Sequence, residues 1–281
     1  MTVVDAHQHF WDPVRVSYPW LAEAYPELDR KFGFEDLAPH LRASGVDATV
    51  LVQSEDDDGD NESMMDIASR HPEIAGVVAW APLDDPTALE VTIARLRRST
   101  KFVGVRVLIH NRPDPDWLVR PDVREGFAVL EQEDLTFDVV AALPRHLEHI
   151  PVIAERHPRL RLVIDHLAKP PIGRDLTSWS ELLRRAAEYP NVFAKVSGLY
   201  PADGDRYPWT LDDLRPAFAI AIGAFGADRL MFGSDWPICD VAGGYQRITR
   251  ALRELAAELS NDDRAALQGG TAIRCYGLSL S

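Results

Sequence analysis

The chain has 281 residues, 46% hydrophobic and 26% charged, a balance that supports a sizeable hydrophobic core and excludes long disorder. Its net charge of −14 repels phosphate backbones and anionic lipid surfaces, so nucleic acid and membranes are disfavoured as partners. Two cysteines without CxxC spacing, Cys239 and Cys275, indicate neither a disulfide framework nor a zinc ribbon and fit a reducing cytoplasm, while no apolar leader precedes Val3 and no run is long enough to span a bilayer.

Short apolar runs alternate with longer amphipathic stretches along the whole chain. Strands are expected at 2–7, 48–53, 74–80, 102–109, 135–140, 161–165, 191–196 and 229–233. Helices are expected at 61–71, 87–98, 122–132, 145–156, 179–188, 211–225 and 244–259, where apolar residues recur three or four apart. Runs such as Ala48-Thr49-Val50-Leu51-Val52 are nearly continuous in apolar character, as parallel strands covered on both faces require. Eight such units in this length predict one α/β domain over 1–281, a closed (β/α)8 barrel of TIM type, with a doubly wound open sheet as the alternative.

Irregular segments at 10–34, 55–60, 110–121 and 198–210 each follow a strand, on the side where barrel enzymes carry their working loops. The first holds Trp11, Tyr18, Trp20 and Tyr25, and the third holds Trp117 among prolines, so these aromatic groups either wall a pocket or pack the loops down.

Polar residues suited to catalysis stand at the strand ends. In Val3-Val4-Asp5-Ala6-His7-Gln8-His9 the alternation of an extended strand puts His7 and His9 on one face and Gln8 on the other. The sixth strand ends in Ile164-Asp165-His166 and the eighth in Gly233-Ser234-Asp235-Trp236, so His7, His9, His166 and Asp235 are expected on one rim. Such a quartet suits either a metal ion or a general base with its water.

Three segments, Asp5-Ala6-His7-Gln8-His9-Phe10-Trp11, Val163-Ile164-Asp165-His166-Leu167-Ala168-Lys169-Pro170 and Met231-Phe232-Gly233-Ser234-Asp235-Trp236-Pro237, resemble the amidohydrolase superfamily. More narrowly the chain resembles the amidohydrolase-related (amidohydrolase 2) branch that includes L-fuconolactonase, L-rhamnonolactonase and pyrone dicarboxylate lactonase. The resemblance implies a metal-dependent-hydrolase-like barrel and hydrolysis of a lactone. Departures from the wider superfamily matter too. Strand four, Gly104-Val105-Arg106-Val107, lacks a bridging lysine or glutamate, and strand five, Thr136-Phe137-Asp138-Val139, lacks a histidine. At most one divalent, zinc-like ion is therefore expected, on His7, His9, His166 and Asp235, and for this branch the resemblance implies that activity need not depend on it.

The expected reaction is opening of a sugar lactone, of L-fucono-, L-rhamnono- or galactonolactone type, to its aldonic acid. Asp235 would be the general base, oriented by His7, His9 and His166, and Arg106 the first candidate to stabilise the oxyanion. Gln53, Asp138 and His110 are candidate contacts to sugar hydroxyls, and Trp236 could stack on an apolar sugar face. Lys195 on strand seven reads as a structural ion pair, His146 and His149 fall on a helix, and Arg112 and Arg120 sit on the third irregular segment. The alternative chemistry is metal-dependent decarboxylation of an unsaturated or aromatic acid, and the non-enzymatic alternative is a binding protein on a barrel frame. Partner expectations are a small-molecule lactone, with homo-oligomerisation left open, and the expected location is cytoplasmic.

Overall fold

A computed structural model describes residues 2–200 and 209–280. Eight strands run β1 Val4–Gln8, β2 Ala48–Val52, β3 Ile74–Ala79, β4 Phe102–Val107, β5 Thr136–Val139, β6 Arg161–Ile164, β7 Val192–Val196 and β8 Leu230–Phe232. They form one sheet in sequential order, with every neighbouring pair parallel. The sheet curls back on itself where His9 donates its backbone N–H to the Trp236 carbonyl at 2.7 Å and Asp235 donates to the His7 carbonyl at 2.8 Å. Those two bonds close the barrel at the rim where the catalytic candidates stand.

All eight expected strands are present, and each of the seven expected helices is found within a few residues of its expected place. The helix expected at 61–71 begins earlier, at Asp58, because the Asp57 carboxylate caps it by accepting from Gly59 N at 2.7 Å. Besides the short helix Pro19–Ala24, which falls in the segment expected to be irregular, two helical stretches were not expected. Phe34–Ala43 buries Phe34, Leu37 and Leu41 on one face but carries Pro39, a residue that argues against a helix interior when read without context. The second is the C-terminal stretch Asn261–Tyr276, interrupted by Gly269 and Gly270. Its Cys275, Tyr276 and Leu278 join Val4, Ala6, Val50, Val78, Val163 and Met231 of the strands in one apolar cluster. The C-terminal segment therefore packs directly against the barrel strands. Among the described residues no helix is long and apolar enough to cross a membrane, and both cysteines are free and buried.

Candidate active site

Beyond β6 the backbone makes an unusual turn. His166, Leu167, Ala168 and Lys169 all have left-handed φ, at 54°, 49°, 57° and 52°. Each such residue costs roughly 1–2 kcal/mol, so the surroundings must hold the turn in place. They do so through Trp179, whose indole N–H donates to the Leu167 carbonyl at 2.7 Å, and through the Lys169 N–H to the His166 carbonyl at 2.8 Å. Gly198, itself at φ 58°, leaves room for the ring, since a Cβ there would stand 3.0 Å from His166 Cγ. Asp235 is also left-handed, at φ 61°. Strain is thus concentrated at two of the four candidate residues.

The four converge as the strand ends implied. Asp235 Oδ1 lies 3.7 Å from His7 Nε2, 3.5 Å from His9 Nε2 and 3.7 Å from His166 Nε2. The second oxygen, Oδ2, accepts a hydrogen bond from the Tyr200 hydroxyl at 2.9 Å. Each imidazole is steered from its other nitrogen. His9 Nδ1 meets the Val52 carbonyl at 2.8 Å, His166 Nδ1 meets Ser197 Oγ at 2.8 Å, and His7 Nδ1 meets Lys195 Nζ at 3.0 Å. Burial keeps the rings neutral. It lowers His9, brings His166 down to about 4, and with help from the Lys195 ammonium takes His7 well below the usual imidazole range. Burial works against the charge on Asp235, but His166 and His9 around it outweigh that and hold the carboxyl below the usual carboxylate range.

The donor set suits a divalent cation. Ligand atoms of His7, His166 and Asp235 lie within 4.8 Å of one another, and His9 Nε2 stands 3.0 Å from His7 Nε2. Three imidazole nitrogens and one carboxylate oxygen are a zinc-type set. The carboxylate behind His7 is the outer partner that such ligands use: Asp165 Oδ1 is 3.2 Å from His7 Nδ1.

Below this rim lies a buried ion cluster. Lys195 Nζ is 2.5 Å from Asp138 Oδ2 and 3.0 Å from Asp165 Oδ1, Arg106 pairs with Asp165 Oδ2 at 3.0 Å, and the Tyr276 hydroxyl donates to Asp138 Oδ2 at 2.8 Å. Lys195 is the ion-pair residue its strand suggested, and it also touches His7.

A cavity of about 230 Å³ opens onto Asp235, small beside the roughly 300–1,000 Å³ of sites for drug-sized ligands. His9, His166, Arg106, Ser54, His110 and Tyr200 give its wall polar groups; Trp20, Tyr25, Val140, Ile238 and Val241 give it apolar ones. Arg106 reaches it as expected while also bonding the Gln53 carbonyl, and its Nε–H has no hydrogen-bond partner among the described residues. His110 lies at the wall as well.

Three expected substrate contacts need correction. Asp138 is fully buried and absent from the cavity wall, with Oδ2 taken by Lys195 and Tyr276 and Oδ1 by the Thr136 hydroxyl, so it does not face a sugar. Gln53 is also buried, with its amide N–H₂ bonded to Asp56 Oδ1 at 3.0 Å and the Arg106 carbonyl at 3.3 Å, and its neighbour Ser54 takes the cavity position. Trp236 packs edge-on against Phe10 and Phe32, at ring centroid distances of 5.9 and 5.5 Å, and is absent from the cavity wall.

His146 and His149 do lie on the helix Pro144–Arg156, with His149 held by Asp116 at 2.8 Å. Arg112 and Arg120 are tied to Asp56 and Asp84, and to Asp122. Of the first-loop aromatics Trp20 and Tyr25 wall the cavity, whereas Trp11 and Tyr18 are buried in packing. In the fourth irregular segment, residues 201–208 lie outside the described residues. Tyr200 and the coupling of Lys195 and Asp165 to His7 were not foreseen. No spacing within the sequence brings them to the site.

Comparison with known proteins places the chain among relatives along almost its whole length. The amidohydrolase family model matches residues 4–278. An L-fucono-1,5-lactonase of Burkholderia ambifaria is 38% identical over 278 residues, covering 97% of this chain and 94% of that protein. An L-fucono-1,5-lactonase of Burkholderia multivorans is 34% identical over 98% of this chain and 96% of its own. The crystal structure of a Burkholderia multivorans amidohydrolase with bound zinc superposes with a TM-score of 0.92 at 33% identity, covering 99% of this chain and 100% of that one.

Proposed function

The chain belongs to the amidohydrolase family, and from that premise we propose that it hydrolyses a sugar lactone to the corresponding aldonic acid, with Asp235 as general base. The observation that carries the reading is Asp235 itself. One of its oxygens is pinned by Tyr200 and the other faces the imidazole cage at the floor of a cavity sized for one small molecule.

Water attacks the lactone carbonyl carbon while Asp235 Oδ1 takes its proton. Negative charge then grows on the former carbonyl oxygen, for which the Arg106 guanidinium, in the cavity wall, is the donor. Collapse of the tetrahedral intermediate breaks the bond to the ring oxygen, and Asp235 returns the proton to the departing alkoxide. The neutral rings of His7, His9 and His166 wall the carboxylate oxygen without adding a competing acid.

His7, His9, His166 and Asp235 are the residues that would hold a divalent ion, as a 33% identical relative holds zinc. When bound, such an ion supplies Lewis acidity to the carbonyl oxygen. The catalytic steps assigned to Asp235 and Arg106 do not require it. Strand five, Thr136–Val139, carries no histidine, and its Asp138 is paired with Lys195, so no observation favours decarboxylation.

The test is proton release from a panel of 1,4- and 1,5-lactones of six-carbon and deoxy sugars. Turnover of at least one well above its uncatalysed rate is expected. Uncatalysed rates throughout would remove the proposal.

A further inference from the structure

We propose that Lys195 is a positioning residue that selects the ring tautomer of His7, so that the cage is complete without a divalent ion yet able to admit one. The inference rests on the reading that the cage can take such an ion.

His9 has a defined tautomer. Its Nδ1 faces the Val52 carbonyl at 2.8 Å, and a carbonyl only accepts, so Nδ1 carries the proton and Nε2 a lone pair. His7 Nε2 lies 3.0 Å from that lone pair. Two lone pairs at this distance repel, so either His7 Nε2 carries a proton or a cation sits between the two rings. His7 is neutral in this buried setting, and its single ring proton can occupy either nitrogen.

Two groups at His7 Nδ1 compete to decide where that proton sits. Lys195 Nζ stands 3.0 Å away and hydrogen-bonds to it, which requires a lone pair on Nδ1 and sends the proton to Nε2. The result is a chain in which every donor meets an acceptor: Lys195 to His7, His7 to His9, His9 to Val52. Asp165 Oδ1 stands 3.2 Å from the same Nδ1 and would accept its proton in the other tautomer. That oxygen is buried and makes no well-aligned hydrogen bond among the described residues, although it is 3.0 Å from Lys195 Nζ. It is an acceptor in reserve. With the proton moved from Nε2 to Nδ1, His7 Nε2 and His9 Nε2 both present lone pairs, the arrangement a cation demands. One proton moves within one ring, and the charges of Lys195, Asp138 and Asp165 stay as they are.

Lys195 is fully buried and its ammonium bears on Asp138, Asp165 and His7 alike. A plain structural ion pair would account for the two carboxylates. It would not account for the third direction, which ends on a metal-type ligand.

Two-bond proton–nitrogen correlation spectra of the full-length protein carrying nitrogen-15 histidine report each ring's tautomer, with the His7 signals identified by their loss in His7→Gln. After exhaustive chelation His7 should show its proton on Nε2, and one equivalent of zinc should move it to Nδ1. A proton on Nδ1 in the chelated protein, or a His7 pattern indifferent to zinc, overturns the proposal. In Lys195→Met, where Asp165 still accepts from Nδ1 and no ammonium donates to it, the chelated protein should show a larger share of the Nδ1 proton than the wild type, against the standing preference of the His9 lone pair for a proton on Nε2, and zinc should bind about tenfold more tightly, equivalent to about 1.4 kcal/mol; unchanged tautomer balance and affinity would count against the assignment. If that variant does not fold, the two wild-type spectra decide the matter. None of these readouts involves lactone turnover, so failure here is distinct from failure of the proposed activity.

Discussion

The Tyr200 hydroxyl donates to Asp235 Oδ2 at 2.9 Å, leaving Oδ1 as the oxygen that faces His7, His9 and His166. Tyr200 thereby fixes which oxygen can accept a proton from water. A hydrogen bond to a charged group contributes about 1.5–3 kcal/mol. Tyr200→Phe should lower kcat by about ten- to a hundredfold with a smaller change in KM, as steady-state kinetics on the best lactone would show. An unaltered kcat would mean that the carboxylate is oriented without it.

Gly198 and Gly173 make a matched pair. Both have positive φ, 58° and 77°, but a Cβ at Gly198 would stand 3.0 Å from His166 Cγ whereas one at Gly173 would meet nothing within 4 Å. Each alanine substitution should cost about 1–2 kcal/mol in stability from backbone strain. Only Gly198→Ala should also displace His166 and reduce kcat by at least about tenfold; thermal melts and kinetics on the two variants separate the effects.

Arg106 serves both the oxyanion and Asp165. Removing its charge in Arg106→Met leaves Asp165 with one buried partner fewer, a loss of about 3–5 kcal/mol, and should lower kcat by about 10²–10³. Arg106→Lys should recover much of the stability and little of the rate, because a single ammonium lacks the planar fork that pairs with Asp165 while also reaching the cavity wall. Recovery of both together would assign Arg106 to structure alone.

The pH dependence follows from groups pulled in opposite directions. Burial lowers His166 from 6.5 to about 4, so its contribution to stability is whole above pH 6.5 and is lost as pH falls through about 4. Burial raises Asp5 and Asp60 from 3.8 to about 6, so their contribution is whole below pH 3.8 and is lost as pH rises through about 6. Between pH 4 and 6 one histidine offsets only one of the two carboxylates, so these three groups together should make the melting temperature fall as pH rises through that range. The ratio kcat/KM follows the cage rather than Asp5 and Asp60, and should stay flat down to about pH 5 before falling. A fall centred near pH 6.5 would show His166 titrating as an ordinary imidazole.

The barrel was legible because its strands are covered on both faces and read as unbroken apolar runs, Val50-Leu51-Val52 being typical. The quartet was legible because each member ends such a run. Its supporting residues were not, since Lys195, Asp138 and His7 come from three different strands and Asp165 from the turn after β6, and they meet only through strand register and barrel closure. Trp236 misled for a related reason. It follows the base directly, but the left-handed backbone at Asp235 sends the two side chains to different places, one to the cavity and one into the Phe10 and Phe32 cluster. The helix at Phe34–Ala43 was hidden by Pro39, whose local cost is outweighed by burial of Phe34, Leu37 and Leu41.

The most direct test of the account is the rate of proton release from the sugar-lactone panel by exhaustively chelated wild-type protein, measured beside Asp235→Asn under the same conditions. The account predicts sustained turnover of at least one lactone by the wild type and a rate reduced by at least about 10³ in the variant, with the fold intact. Equal rates in the two proteins, or no turnover by either, would contradict it.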